Sequence, residues 1–568
     1  MKVLSLLIAL IFALSLAAGS FAQGGPSRQE FMDKADRVRE LIRNKKEQGA
    51  DVSEAVKKAE EARAAFRGRD MERASMLLDE IEAMLGPGAA VKSAPVSEGA
   101  SPDVPERVVS LDLGLKKAYA VRVKAKYKKG RDITDFDGAV EAIPLTAEDG
   151  KLKVPLAVQP VFITDERPPQ KFPRLKPEED SPFGFHPAKV EGEDDPYRYA
   201  RDIGVSWHRP MRYFVWMLVQ KDISSRSYDW SFYDKEVKEA KDLNLLYNII
   251  ASPPYTDRQD EASMRARRME GELRKYARKN SYMPADEKAY TDFVTACVER
   301  YDGDGVDDMP GLAKPIKYWQ IGNEPHPKMA DFAEFVRITS VAIKKADPSA
   351  KVVIGGALRA VMEDRSRFDS TFLKILRELN GKYIDVIDFH WGGDAKGNYR
   401  GYRDIYAHLK DELRSMGYPA GMPVWITEMS TYSGDPVKLS FQPWDPPFQT
   451  EEMQAGDAVK RYVWGLANGV GKVFWAWGMM EGFKNNDSYF DHTGFIYDGK
   501  SGDDEGRGVR KLAYYSYKLM TGMLEGSDWT GVKALSEGKD NIYAYRFTKK
   551  SGKAVYVVWR DYFDERGF

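Results

Sequence analysis

Cysteine is almost absent: Cys297 is the only one in 568 residues. No intramolecular disulfide can form, so the fold must rest on packing. Cys297 itself stands at helical spacing with Phe293, Val294 and Val298, as a small buried hydrophobe would. Charge of one sign is also missing, since 86 Lys and Arg face 87 Asp and Glu. A net charge near zero gives no reason to invoke nucleic acid or an anionic membrane as partner. His-Glu-x-x-His and paired-cysteine motifs do not occur, which argues against a catalytic metal or any required cofactor. Beyond the N-terminus no apolar run is long enough to span a bilayer. The one apolar run, from Val3 to Ala18 after Met1-Lys2, ends in Gly19-Ser20-Phe21-Ala22 and reads as a secretory signal cleaved after Ala22. No cysteine follows it, against a lipoprotein anchor, so the mature chain is expected to be secreted or periplasmic, without membrane insertion.

What is present is apolar material: 43% hydrophobic and 12% aromatic residues, enough for a large core. At this length two to four domains are expected. Residues 27–85 read as a small helical hairpin or bundle. Ser27 and Glu30 form a capping box, and Phe31, Ala35, Val38 and Ile42 make one stripe. Ser53 opens a second helix with Val56, Ala59, Ala62 and Phe66, and Asp70 a third with Ala74, Leu77, Ile81 and Leu85. The region reads as a spacer, with a module docking a protein partner as the alternative. Residues 86–105, rich in Gly, Pro, Ala and Ser, form a linker. From 106 to 165 the period changes to two, as in Ala118–Tyr127 and Lys151–Val158, and it returns in 525–568 at Asn541–Phe547 and Ala554–Trp559. Neither stretch has enough strands to bury two faces alone, so the two are expected to share one accessory β-sandwich.

Between them, residues 180–522 alternate strand and helix. Strands are expected at Phe183–His186, Val205–Arg209, Leu245–Ile250, Ile316–Ile321, Lys351–Gly355, Val386–His390, Val424–Thr427 and Val473–Trp477. Eight strands with intervening helices predict an α/β fold, a (β/α)8 TIM barrel. Two of the strands end in an acid: Tyr318-Trp-Gln-Ile-Gly-Asn323-Glu324-Pro325 and Val424-Trp-Ile-Thr-Glu428-Met-Ser430. Desolvating an acid at a strand end is costly unless it has a partner or a task. The interval of 104 residues between them is about three βα units of roughly 30 residues, placing them on strands 4 and 7 at the catalytic end of a barrel.

These two segments resemble the retaining glycoside hydrolases of clan A, where Asn-Glu ends strand 4 and a second Glu ends strand 7. The resemblance implies Glu324 as acid/base, Glu428 as nucleophile and Asn323 as the amide that binds the sugar 2-hydroxyl. Retention needs two carboxyl groups ~5–5.5 Å apart, one protonating the leaving oxygen and one attacking the anomeric carbon. Arg209 matches the clan's arginine, which keeps the nucleophile ionised. His390 ends strand 6, where the clan often places a residue near the nucleophile. Trp475 and Trp477 share a face by period two, so that one could stack on a sugar. Trp391 joins them as a candidate for substrate binding. Trp216, Trp230, Tyr255, Tyr432 and Trp444 are further loop aromatics suited to carbohydrate. Strand 3 departs from the pattern at Ala251-Ser-Pro-Pro-Tyr255, which lacks the histidine of family 5, and so does strand 6 at His390-Trp391-Gly392. The family therefore stays open between a family 39-like and a family 5-like enzyme. The resemblance implies hydrolysis of a poly- or oligosaccharide by double displacement. A carbohydrate-binding or cell-surface scaffold that kept the barrel without turnover is the alternative. Asp302, Asp304, Asp307 and Asp308, set among glycines before strand 4, read either as a solvated acidic turn or as a structural Ca²⁺ site.

Overall fold

A computed structural model describes residues 51–67, 71–86, 106–124, 139–169, 172–253, 270–326, 329–439, 445–499 and 507–562, with isolated positions between 34 and 45. The signal read at 1–22, the capping box and nearly all of the linker lie outside these residues. Chain contacts separate residues 1–102 with 438–444 from residues 103–437 with 445–568.

In the first unit, α1 (Ser53–Arg67) and α2 (Met71–Leu85) pack as a hairpin. Ala55, Ala59 and Ala62 line one face of α1, and small side chains there let Leu77, Leu78 and Ile81 of α2 approach closely. Val38 and Ile42, from the expected first stripe, are buried in the same cluster.

The second unit begins with five strands: β1 (Arg107–Leu111), β2 (Lys117–Val123), β3 (Val140–Glu148), β4 (Lys151–Leu156) and β5 (Val161–Thr164). The barrel follows as β6 (Phe183–His186), α3 (Arg198–Asp202), β7 (Trp207–His208), β8 (Phe214–Val215), α4 (Ser231–Ala240), β9 (Asn244–Ile250) and α5 (Glu287–Glu299). It continues as β10 (Tyr318–Ile321), α6 (Phe332–Ala346), β11 (Lys351–Ile354), α7 (Phe372–Leu379), β12 (Ile387–Gly392) and α8 (Arg403–Ser415). It ends with β13 (Val424–Ser430), α9 (Glu451–Ala467), β14 (Lys472–Ala476) and α10 (Leu512–Leu524), before β15 (Lys533–Lys539), β16 (Ile542–Thr548) and β17 (Ala554–Arg560).

The parallel order β11-β10-β9-β7-β6-β14-β13-β12 closes into a ring, because Val353 bridges Val386 between β11 and β12. This is a (β/α)8 barrel. The second strand is shorter than expected: it breaks after His208 and resumes as β8 beside β9. Inside the barrel, Trp207, Leu246, Val353, Val386, Trp425 and Phe474 form one apolar layer with Tyr318 against it. By period two the next inward positions are Arg209, Asn248, Gln320 and Asp388, so the polar layer sits directly on the apolar plug.

Strands from both ends of the chain share one antiparallel sheet in the order β1-β4-β3-β2-β5-β17-β16-β15, where Val557 of β17 faces Phe162 of β5. The sheet folds back so that β4 lies near β17. One face encloses Ala120, Leu152, Val154, Ile163, Ala544 and Val558. The other face, with Val121, Phe162, Val557 and Trp559, joins the core of the barrel. Among the described residues no helix is long and apolar enough to cross a membrane.

Candidate active site

Glu428 owes its orientation to an irregularity in β13. Ile426 pairs with Phe389 but Glu428, not Thr427, pairs with His390, so β13 carries one extra residue there. Regular alternation would send Thr427 and Glu428 to opposite faces; the bulge turns both inward. Thr427 donates its hydroxyl to Asp388 Oδ2 at 2.6 Å, while Glu428 Oε1 accepts from Arg209 Nη1 at 2.8 Å and Oε2 from Trp477 Nε1 at 2.9 Å. Glu428 is only 7% exposed. Burial alone would favour its neutral form, but His390 and Arg209 outweigh it and hold the carboxyl well below the usual carboxylate range.

Arg209 is the hub. It is fully buried, and its fork also donates from Nε to Gln320 Oε1 at 2.7 Å and from Nη2 to Asn323 Oδ1 at 2.6 Å. The carbonyl of Asn323 is thereby fixed and its NH2 is left to donate elsewhere.

Glu324 follows Gly322, whose φ of +72° sets the chain against the Phe332 ring, and Glu324 itself sits at φ +43°. A non-glycine residue in this left-handed region carries strain of the kind that gathers at functional sites. Its side chain is 32% exposed, against 7% for Glu428, so the two acids meet solvent differently. Glu324 Oε1 lies 2.9 Å from His390 Nδ1, and Glu324, His390 and Glu428 each place one polar atom within 4.8 Å of the other two.

The structure thus brings together Glu324, Glu428, Arg209, Asn323, His390 and Trp477. It separates two other candidates from them. Trp391 alternates outward from His390; it is 3% exposed, donates to Asn398 O at 2.9 Å and packs on Tyr402. Trp475 is fully buried, donates to Thr493 O at 2.9 Å and packs on Phe495, so it offers no face to a sugar. Trp477 reaches the site because β14 ends at Ala476 and the chain leaves the strand there. Trp216 and Tyr432 are likewise buried, Trp230 stacks on Phe293, and Tyr255 and Trp444 lie outside the described residues.

Several residues of the site were not singled out from the sequence. His186, at the end of β6, donates from Nδ1 to Arg209 O at 2.8 Å and turns Nε2 toward Glu428 Oε1 at 3.5 Å. Burial, helped by Arg209, pushes its pKa down to about 3, so it is neutral. Tyr213, just after strand 2, lies under the Arg209 guanidinium. Asp388 and Gln320 link strands 4 and 6 through a 2.6 Å bond. A Cβ at Gly356 would come within 2.6 Å of Asp388 Oδ2 and His390 Nε2, so the loop after β11 has room only for glycine. The signal available for Asp388 was its period-two relation to His390.

In the acidic loop, carboxylate oxygens of Asp302, Asp304 and Asp308 lie within 4.8 Å of one another, a set that fits a hard cation. Asp307, at φ +50°, is exposed and stands outside the group. The same acids accept amides of the turn: Asp304 N to Asp302, Val306 N to Asp304, and Gly303 N and Gly305 N to Asp308.

No protein-family model matches the chain, and no curated protein does either. Among solved structures, it is similar to a family 39 glycoside hydrolase from the gut symbiont Bacteroides cellulosilyticus WH2, at 14% identity and a TM-score of 0.49 over 81% of this chain and 87% of that one. A glucosidase from Croceicoccus marinus gives 15% identity and a TM-score of 0.43 over 64% of this chain and 75% of that one. A GH10 xylanase from Thermobacillus composti gives 14% and 0.37 over 60% and 97%. Likenesses this faint carry no information about activity, which must be read from the side chains.

Proposed function

We propose that the protein is a glycoside hydrolase that cleaves O-glycosidic bonds of a poly- or oligosaccharide with retention of configuration. The observation that carries this reading is the pair of carboxyl groups from strands 4 and 7, with oxygens within 4.8 Å, in opposite surroundings. Separations of roughly 5–5.5 Å between carboxyl groups suit direct attack, whereas ~6.5–9.5 Å would leave room for an intervening water. Glu428, ionised by Arg209 and His390, is the nucleophile. Glu324, on the solvent side, protonates the leaving oxygen and then takes a proton from the attacking water. Asn323 NH2 is free to bind the hydroxyl next to the anomeric centre, and Trp477 holds the second oxygen of the nucleophile.

The apolar segment read at 1–22 supports export of the proposed enzyme; N-terminal sequencing of exported protein, with Gln23 expected first, tests that part. Activity is tested on aryl β-glycosides and a panel of polysaccharides. Glu428→Gln is expected to lose turnover on every substrate. Glu324→Ala should fail mainly on poor leaving groups, with azide restoring turnover and yielding a β-azide. Inversion of the anomeric centre by NMR would sink the retaining mechanism, and binding without released reducing ends across the panel would favour a scaffold.

A further inference from the structure

His390 lies where the two carboxylates meet, and its other edge fixes how it can carry a proton. Nε2 is 3.2 Å from Thr427 Oγ1 and 3.5 Å from Asp388 Oδ2. Because Thr427 gives its hydroxyl hydrogen to Asp388, its oxygen is left to accept, and Nε2 keeps a hydrogen in every state of the ring. Only Nδ1 can gain or lose one, and it faces Glu324 Oε1 at 2.9 Å and Glu428 Oε2 at 3.6 Å. Asp388 cannot swing away. It is fully buried, with Oδ1 accepting Thr427 N at 3.0 Å and Oδ2 accepting Gln320 Nε2 at 2.6 Å.

The charged and titratable groups around His390 are Glu324 from the loop after β10, Glu428 from β13, Asp388 from its own strand, His186 from β6, and Arg209 and Tyr213 from the second strand and its loop. Three acids thus surround one fixed cation, and His186 stays neutral.

We propose that Asp388 is a positioning residue: through the Nε2 edge of His390 it holds one proton on the line between His390 Nδ1 and Glu324 Oε1. The idea rests on Glu324 being the acid/base. Burial acts to deprotonate His390, but Glu428, Asp388 and Glu324 overcome it and raise its pKa to about 10, in keeping with the geometry. In the first step the proton leaves Glu324 Oε1 for the glycosidic oxygen as the C–O bond breaks and Glu428 bonds to the anomeric carbon. In the second, water attacks that carbon, the Glu428 ester bond breaks, and the water proton returns to the Glu324–His390 pair. Asp388 sets the alkaline limit at which the pair still holds its proton, and so the alkaline limb of activity.

The test is Asp388→Asn, which keeps the shape and removes the charge. The alkaline limb of kcat/KM should move down by about one pH unit or more, a roughly tenfold loss one unit above the wild-type limb, since one unit is a tenfold change in protonation. His390→Gln, which cannot carry the charge, should move the same limb in the same direction and serves if Asp388→Asn does not fold. Independently of turnover, ring ¹⁵N NMR of histidine-labelled protein, with His390 assigned by its loss in His390→Gln, should show an imidazolium that deprotonates at lower pH in Asp388→Asn. An unchanged limb in both variants, or an unchanged His390 titration in folded Asp388→Asn, overturns the proposal. If the wild type hydrolyses no glycoside while the NMR shift occurs, the catalytic reading has failed and the role of Asp388 in holding the proton stands.

Discussion

Replacing Arg209 by lysine isolates what its fork contributes, because the charge is kept and the geometry lost. The guanidinium donates at once to Gln320, Glu428 and Asn323. A lysine ammonium at the end of a fully buried stem can follow the charged Glu428, which leaves Gln320 Oε1 and Asn323 Oδ1 without their donor. A buried acceptor left unpaired costs about 1–3 kcal/mol, so the variant should lose about 2–4 kcal/mol after partial relaxation. For a domain of this size that is a fall in Tm of about 2–6 °C. Asn323 and Glu428 would also lose their common anchor. If about 3 kcal/mol of that falls on the transition state, kcat/KM drops about a hundredfold. Thermal melts and initial rates on an aryl glycoside measure both. A variant within twofold of wild type in kcat/KM, or with an unchanged Tm, would refute the hub assigned to Arg209.

Deleting 530–568 removes β15 to β17, strips β5 of one of its two strand partners and uncovers Val121 and Phe162, so the truncated chain should aggregate; a soluble, fully active truncation would show that the shared sheet is dispensable. The depressed pKa of Glu428 stabilises the fold above its unfolded value of about 4.3 and is lost as pH falls through the folded value. The stability gap between wild type and Glu428→Gln, measured by urea unfolding, should therefore shrink progressively below about pH 4; a gap independent of pH would contradict an ionised Glu428. His390 works in the opposite sense: its raised pKa contributes fully below about pH 6.5 and fades as pH rises through the folded value, so His390→Gln should lose its stability deficit only at alkaline pH. If Asp302, Asp304 and Asp308 hold a structural Ca²⁺, millimolar CaCl2 should raise Tm over EDTA, by about 2.7 kcal/mol of stability at a hundred times Kd, and Asp304→Ala should abolish the rise; no shift in the wild type would leave a turn closed by its own amides.

Much of the architecture was legible in the linear chain because it is written in local terms. The barrel strands are short runs of β-favouring apolar residues bounded by loops, and an acid at the end of two of them marks strands 4 and 7. The stripes of Ala59 and Ala62 against Leu77 and Ile81 likewise announce a helical hairpin by period alone. Tertiary structure decided what period cannot carry. A single extra residue at Thr427 turns Glu428 to the same side as its neighbour, and nothing in Ile-Thr-Glu-Met distinguishes that strand from a regular one. Trp475 and Trp477 read as equivalent two residues apart, yet the strand ends between them and, of the two, Trp477 meets Glu428. Gln320 and Asp388 look like unremarked polar residues within strands, because their value lies in bonds across the barrel to Arg209, Thr427 and each other. Such bonds join residues 39 to 111 positions apart, and only closure of the ring brings them within reach.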